Sequence, residues 1–240
     1  MLRSLPHLWL DSLPGLSRDQ EHRYHLGDHT FPISVTGVLA TQKSAIAMER
    51  IEATRADWAP RGNTCHLALE LAATSPGFHP DHWPQGWPYS DWIHPLLHHP
   101  IWDSVFLCAS EMGLYSLDLN LAGTFDGGWL SKSSPALPWR RTLFDLKSQG
   151  RADASAYDTR PQLGGYLTMA REHGIDFDDA ATIWCRPGRT KIASYGLSEC
   201  LEGWQEAWQV YQAQMAFKAR LEAAGVLIPA GADLFSLPSP

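Results

Sequence analysis

The sequence predicts a mixed α/β domain in which a central sheet is flanked by helices. Three observations carry this. Helical and strand periodicities follow one another in the order helix, helix, three strands, helix, two strands, helix. The 240 residues are 44% hydrophobic and 19% charged, enough apolar content for one sizeable core and too little charge for wholesale disorder. No internal repeat or low-complexity segment interrupts the pattern.

Each element has its own signal. Residues 1–30 show little periodicity and read as an arm, residues 31–225 as the folded domain, and residues 226–240 as an irregular tail. "FPISVTGVLA" (31–40) is β-branched and apolar, a short strand or a turn leading into a helix. "KSAIAMERIEATRADWA" (43–59) holds good helix formers and is expected to end before Pro60. A second helix follows at "RGNTCHLALELAAT" (61–74), punctuated at its start by Gly62 and Asn63, with Cys65, Ala68, Leu69 and Ala72 as its apolar stripe. "SPGFHPDHWPQGWPYSD" (75–91) is a loop, and "WIHPLLHHPIW" (92–102) a short helix interrupted by Pro95.

The strands come next. "SVFLCASEMGL" (104–114) is the first. "YSLDLNLAGTFDG" (115–127) alternates strictly, with Leu117, Leu119, Leu121 and Phe125 on one face and Ser116, Asp118, Asn120, Thr124 and Asp126 on the other. "RRTLFDLKS" (140–148) is the third. "YDTRPQLGGYLTMAREHG" (157–174) is a helix after Pro161, and "AATIWCRPGRTKIASYGLS" (180–198) a hairpin turning at "RPGR". The last element is a long helix at 198–225, capped by Ser198 and closed by Gly225.

Composition excludes several classes. A formal net charge of −7 lacks the global positive field of a protein that coats nucleic acid, so any such contact must come from a local basic patch or through bound metal ions. Most of the 11 tryptophans are expected to pack in the core. Cys65, Cys108, Cys185 and Cys200 form no C-x-x-C pair and read as reduced thiols, which disfavours an iron–sulfur or structural zinc site. No apolar run reaches membrane-spanning length, and the opening "MLRSLPHLWLDSLPGL" lacks the uninterrupted apolar centre of a signal peptide. The expectation is a soluble cytoplasmic protein.

The chemistry concentrates in two strands. Asp145 and Lys147 are two apart and project from one face, while Phe144 and Leu146 point the other way into a core. Asp126 lies on the polar face of the preceding strand. If the two strands pair as a hairpin, both carboxylates can meet on one side near the sheet end. Converging carboxylates repel unless a cation sits between them, and hard oxygen ligands favour Mg²⁺ or Mn²⁺. A lysine beside that site can stabilise developing negative charge or hold a nucleophilic water. Taken alone, Asp145 and Lys147 equally describe a surface ion pair of little energetic worth. The histidines His79, His82, His94, His98 and His99 invite a zinc reading, but the intervening prolines break regular presentation, and solvated loop histidines are expected. "WRR" (139–141), Arg151, Arg160 and "RPGRTK" (186–191) are candidate phosphate contacts, with Arg151 and Arg160 best placed.

"AGTFD" followed by "LFDLKS", with "QLGGY" downstream, resembles the PD-(D/E)XK nuclease superfamily. The likeness is to the exonuclease branch shared by RecB-type, CRISPR-associated and mitochondrial genome-maintenance nucleases. Three further segments agree. "RGNTCHLALE" supplies the branch's helix pattern with Gly62, His66 and Glu70. "CASEMGL" places Glu111 in the strand before "GTFD", and "FPISVTGVL" resembles the branch's "P-S-V-T-x-V-L" segment with Ile33 as one extra residue. Together these cover roughly residues 31–220 in the family's order.

The resemblance implies a restriction-endonuclease-like core and a Mg²⁺- or Mn²⁺-dependent DNA exonuclease acting on single-stranded or free-ended DNA in repair, recombination or replication. It makes Asp126, Asp145, the Leu146 backbone carbonyl and His66 metal ligands, and Lys147 the residue that positions the attacking water. Gln162 and Tyr166, four apart on one helix face, would flank the site. Glu111 would be a ligand, a neighbour of the ligands or a salt-bridge partner. Arg151, Arg160, Tyr166, Ser34 and Thr36 would contact nucleic acid. Two alternatives stand beside this: a non-catalytic nucleic-acid-binding module on the nuclease fold, and a CRISPR-associated nuclease of the iron–sulfur type. The separation of Cys185 from Cys200 disfavours the second.

Overall fold

The computed structural model of the chain describes residues 2, 4, 6–75 and 77–226; the tail expected at 226–240 lies, past Val226, outside the described residues. It is a mixed α/β fold with a mixed sheet flanked by helices.

Within the expected N-terminal arm, residues 16–30 build a three-stranded antiparallel sheet of β1 (Leu16–Arg18), β2 (Tyr24–Leu26) and β3 (His29–Thr30). Strands this short carry no readable alternation. The first turn is instead fastened by Asp19, whose carboxylate accepts the amides of Glu21 and Arg23 and the Arg23 Nε. Tyr24 and Phe31 pack on Ala122, so this small sheet leans on the main one.

β4 (Ile33–Ser34) runs into α1 (Val35–Ala40) as expected, with the Ser34 hydroxyl accepting the Gly37 amide as its cap. The next helical break is not at Pro60. α2 (Ala45–Ala53) ends at Thr54, whose hydroxyl bonds back to the Arg50 and Ile51 carbonyls, and α3 (Arg55–Thr74) runs through Pro60 and past Gly62. A proline in the second turn forfeits one helical hydrogen bond, which the packing of Cys65, Ala68 and Leu69 outweighs. Pro95 is likewise contained in α4 (Ser90–Leu97) rather than interrupting it.

β5 (Val105–Ser116) and β6 (Leu121–Ser131) form a hairpin. The strand expected from residue 115 therefore starts six residues later. Leu117–Asn120 is its turn, with Asn120 at φ 52° and the Ser116 hydroxyl accepting the Leu119 amide. The leucines of "LDLN" continue the alternation by chance, and Leu117 lies exposed. β7 (Arg140–Ser148), α5 (Arg160–Glu172), β8 (Asp179–Arg186), β9 (Arg189–Tyr195) and α6 (Leu197–Ala223) complete the fold. The β8–β9 turn falls at Pro187–Gly188 as expected, with Gly188 at φ 72°. α6 is capped by Gly196, leaving Ser198 inside the helix.

The sheet runs β4-β6-β7-β8-β9, with β5 on the other edge of β6. One core joins Leu121, Phe125 and Leu143 to α1, α5 and α6; the other joins Trp129, Phe144 and Leu146 to α3 and α4. The four cysteines are free and buried. No described helix is long and apolar enough to cross a membrane.

Candidate active site

The site lies where the sheet forks. β6 and β7 pair antiparallel from Ser131↔Arg140 to Gly127↔Phe144 and then part. Beyond the fork, the N-terminal half of β6 pairs in parallel with β4. At the last rung a Cβ on Gly127 would collide with the Phe144 ring, so only glycine lets that ring cross the strand. One step further the ladder would place Asp126 opposite Asp145 and give the Leu146 amide to Phe125. The Asp126 carboxylate intercepts that amide instead, accepting it on Oδ2.

The alternation of side chains is reset at the same level of β5. Ala109 and Met112, three apart, face the same core. A strict period of two forbids that. Glu111 between them takes up the difference with a left-handed backbone, φ 46°. Such a conformation in a residue other than glycine is costly and collects at functional sites. It turns Glu111 toward α3, where His66 is waiting. His66 Nδ1 lies 3.2 Å from Glu111 Oε1 and 3.4 Å from Asp126 Oδ1. The ligand atoms of His66, Glu111 and Asp126 all fall within 4.8 Å of one another, and among the described residues no other such trio forms.

Asp145 stands beside this trio rather than in it. It is 1% exposed. Gln162 Nε2 donates to its Oδ1 at 2.7 Å, and the Lys147 ammonium faces its Oδ2 at 2.8 Å without the direction of a hydrogen bond. Gln162 also donates to the Tyr166 hydroxyl at 3.2 Å. α5 can approach this closely because Gly123, Gly164 and Gly165 leave room for Tyr166, α6 and Val35.

Charge follows from this geometry. Burial pushes the Asp126 carboxyl up to about 7, His66 and Lys147 opposing the rise and Asp145 and Glu111 adding to it. Burial also opposes the charge on His66, but Asp126 and Glu111 outweigh it and carry the imidazole up to about 9. Lys147 is held above the ordinary lysine range: burial works against it, and Asp145 and Asp126 prevail. The ammonium stays charged.

The residues expected from sequence are thus brought together in most cases. His66, Glu111, Asp126, Asp145, Lys147, Gln162, Tyr166 and the Leu146 backbone share one end of the sheet. The Leu146 amide is engaged by Asp126; in an extended strand its carbonyl points to the same edge, toward the fork. Those expected at nucleic acid fare differently. Tyr166 is 3% exposed and has no surface to offer. Arg151 is held by Asp153 and Arg160 by Asp158, each through two hydrogen bonds. Ser34 caps α1, with Thr36 Oγ1 3.1 Å from its hydroxyl. The histidine cluster gathers on Asp81, which accepts from His98 and lies 3.3 Å from His79 Nδ1, while His82 and His99 cap short 3₁₀ turns.

Two residues were not singled out from sequence. Arg61, on α3, donates Nε to the Ser148 hydroxyl at 3.3 Å. Its position just ahead of the Gly62–His66 spacing is the signal that could have found it. Tyr157 packs on Trp184, and no local pattern points to it.

Comparison of the chain with models of known protein families finds no match, and comparison with curated proteins finds none either.

Proposed function

We propose that this chain is a Mg²⁺- or Mn²⁺-dependent deoxyribonuclease with a restriction-endonuclease-like core of the PD-(D/E)XK type, acting on single-stranded or free-ended DNA. The observation that carries the reading is the fork between β6 and β7. There Asp126 of β6 meets Glu111 of β5 and His66 of α3, with the Asp145–Lys147 pair of β7 beside them. One nitrogen and two carboxylate oxygens within 4.8 Å suit a small divalent cation, and the incompletely satisfied Asp145 Oδ2 offers a further acceptor.

His66, Glu111 and Asp126 would hold the ion. When bound, it would supply Lewis acidity to a phosphodiester and lower the pKa of a water. Lys147 faces the same space with a charged ammonium. Its part is to position the attacking water and to stabilise the negative charge that builds on the phosphoryl oxygens as the new P–O bond forms and the ester bond breaks. Asp145 fixes that ammonium, and Gln162 fixes Asp145. The test is digestion of 5′- and 3′-labelled single- and double-stranded DNA with Mg²⁺ and with chelator. The reading requires Mg²⁺-dependent loss of label from at least one substrate, and no loss from any would contradict it.

A further inference from the structure

The segment between β7 and α5 crosses back over the end of the sheet in step with β8. Thr159 Oγ1 lies 2.6 Å from Thr182 Oγ1. Two residues earlier, Tyr157 sets its ring edge-to-face against Trp184, with centroids 4.9 Å apart and planes at 87°. β8 is parallel to β7, with Thr182 opposite Asp145 and Trp184 opposite Lys147. Residues paired in register project to one face, so Thr159 and Tyr157 cover the immediate neighbours of Asp145 and Lys147. Trp184 is fully buried, and Tyr157, 56% exposed, is the outer ring of the pair. An exposed aromatic ring, braced from below and set beside a charged lysine, is a ready stacking surface.

On the other face of the sheet, the strand end is met by Arg61. Its guanidinium rests 5.6 Å over the Trp92 ring and reaches Ser148, the residue after Lys147. Arg151 and Arg160 are each spent on an aspartate, whereas Arg61 makes no ion pair with a carboxylate among the described residues.

We propose that Tyr157 and Arg61 form a nucleotide subsite beside Lys147. Tyr157 stacks an unpaired base next to the scissile phosphate, and Arg61 holds a phosphate of the same strand. The inference rests on the nuclease reading of the adjoining site and sharpens its substrate to single-stranded DNA. Only an unpaired base can leave its stack and offer a face to Tyr157.

The test is fluorescence anisotropy with a labelled single-stranded DNA oligonucleotide and its abasic sugar–phosphate counterpart, both in chelator. The proteins are the wild type, Tyr157→Phe, Tyr157→Ala, Tyr157→Leu and Arg61→Ala. Tyr157→Leu still covers Trp184, so it separates stacking from structural support. Expected is a loss of about tenfold in affinity for the base-bearing strand in Tyr157→Ala and Tyr157→Leu, with Tyr157→Phe like the wild type. The abasic strand should not distinguish Tyr157→Leu from the wild type, and Arg61→Ala should weaken both strands alike. Equal binding of the base-bearing strand by Tyr157→Leu and wild type, or no binding by the wild type, overturns the subsite. Hydrolysis in Mg²⁺, measured in parallel, separates the two readings. Base-dependent binding without hydrolysis leaves the subsite standing and removes the nuclease; hydrolysis that Tyr157→Leu does not alter does the reverse.

Discussion

Asp126 gives one carboxylate oxygen to the Leu146 amide and turns the other toward His66 Nδ1, 3.4 Å away. One side chain therefore closes the fork of the sheet and contributes to the candidate metal centre. The two duties can be separated. Asp126→Asn keeps an oxygen for the Leu146 amide, and is expected to fold normally while losing most affinity for Mn²⁺. Asp126→Ala loses both and should also be destabilised by about 1–3 kcal/mol, because a part-buried amide is left without an acceptor. Urea unfolding and Mn²⁺ calorimetry on the two variants check this; equal stability of the two would contradict the structural duty.

Metal binding should strengthen as pH rises. Burial holds Asp126 at about 7, and Asp126 with Glu111 holds His66 at about 9 against burial. Both groups must be deprotonated to serve as ligands, so a proton competes with the ion at each. The sign is fixed by these upward shifts: affinity is weaker at pH 6 than at pH 8, and climbs as first Asp126 and then His66 gives up its proton. Calorimetry with Mn²⁺ at pH 6, 7 and 8 should show rising affinity and proton release into the buffer. An affinity independent of pH would contradict the assignment.

Glu111 holds a left-handed backbone that glycine adopts freely. Glu111→Gly should therefore be more stable than Glu111→Ala by about 1–2 kcal/mol. Both should bind Mn²⁺ more weakly than the wild type. Thermal unfolding of the pair checks the backbone part, and an alanine variant at least as stable as the glycine variant would contradict it.

Gly164 belongs to the "QLGGY" segment, yet its part is packing. A Cβ there would collide with the Cys200 carbonyl of α6. Gly164→Ala should cost about 3 kcal/mol and shift the midpoint of urea unfolding to match. A neutral substitution would show that the two helices are not in the contact described.

Much of this was legible in the sequence, for reasons that differ by element. β7 was readable end to end because Asp145 and Lys147 interrupt an apolar strand at a period of two. The β8–β9 turn was readable because Gly188 carries its conformation locally, whereas Ser34, expected at nucleic acid, caps α1. What failed was non-local. "LDLN" imitates a strand, and only its pairing shows that it turns. The helical break at Thr54 depends on hydroxyl bonds that outrank the proline six residues on. The part of Glu111 was open because a left-handed glutamate has no local signature. Its convergence with His66 and Asp126 depends on the register of β5 on β6 and the placing of α3. The pairing of Asp145 with Lys147 and Gln162 depends on the placing of α5, and Tyr166 is buried by the same packing.

The central claim is that this fork is a phosphodiester-cleaving site in which Lys147 stabilises the developing charge. It is tested most directly by single-turnover cleavage of an end-labelled single-stranded DNA oligonucleotide in Mn²⁺, comparing wild type with Lys147→Ala at matched circular dichroism. The account predicts cleavage by the wild type and a rate about a hundredfold or more lower in the variant. Equal rates in the two proteins, or no cleavage by the wild type, would contradict it.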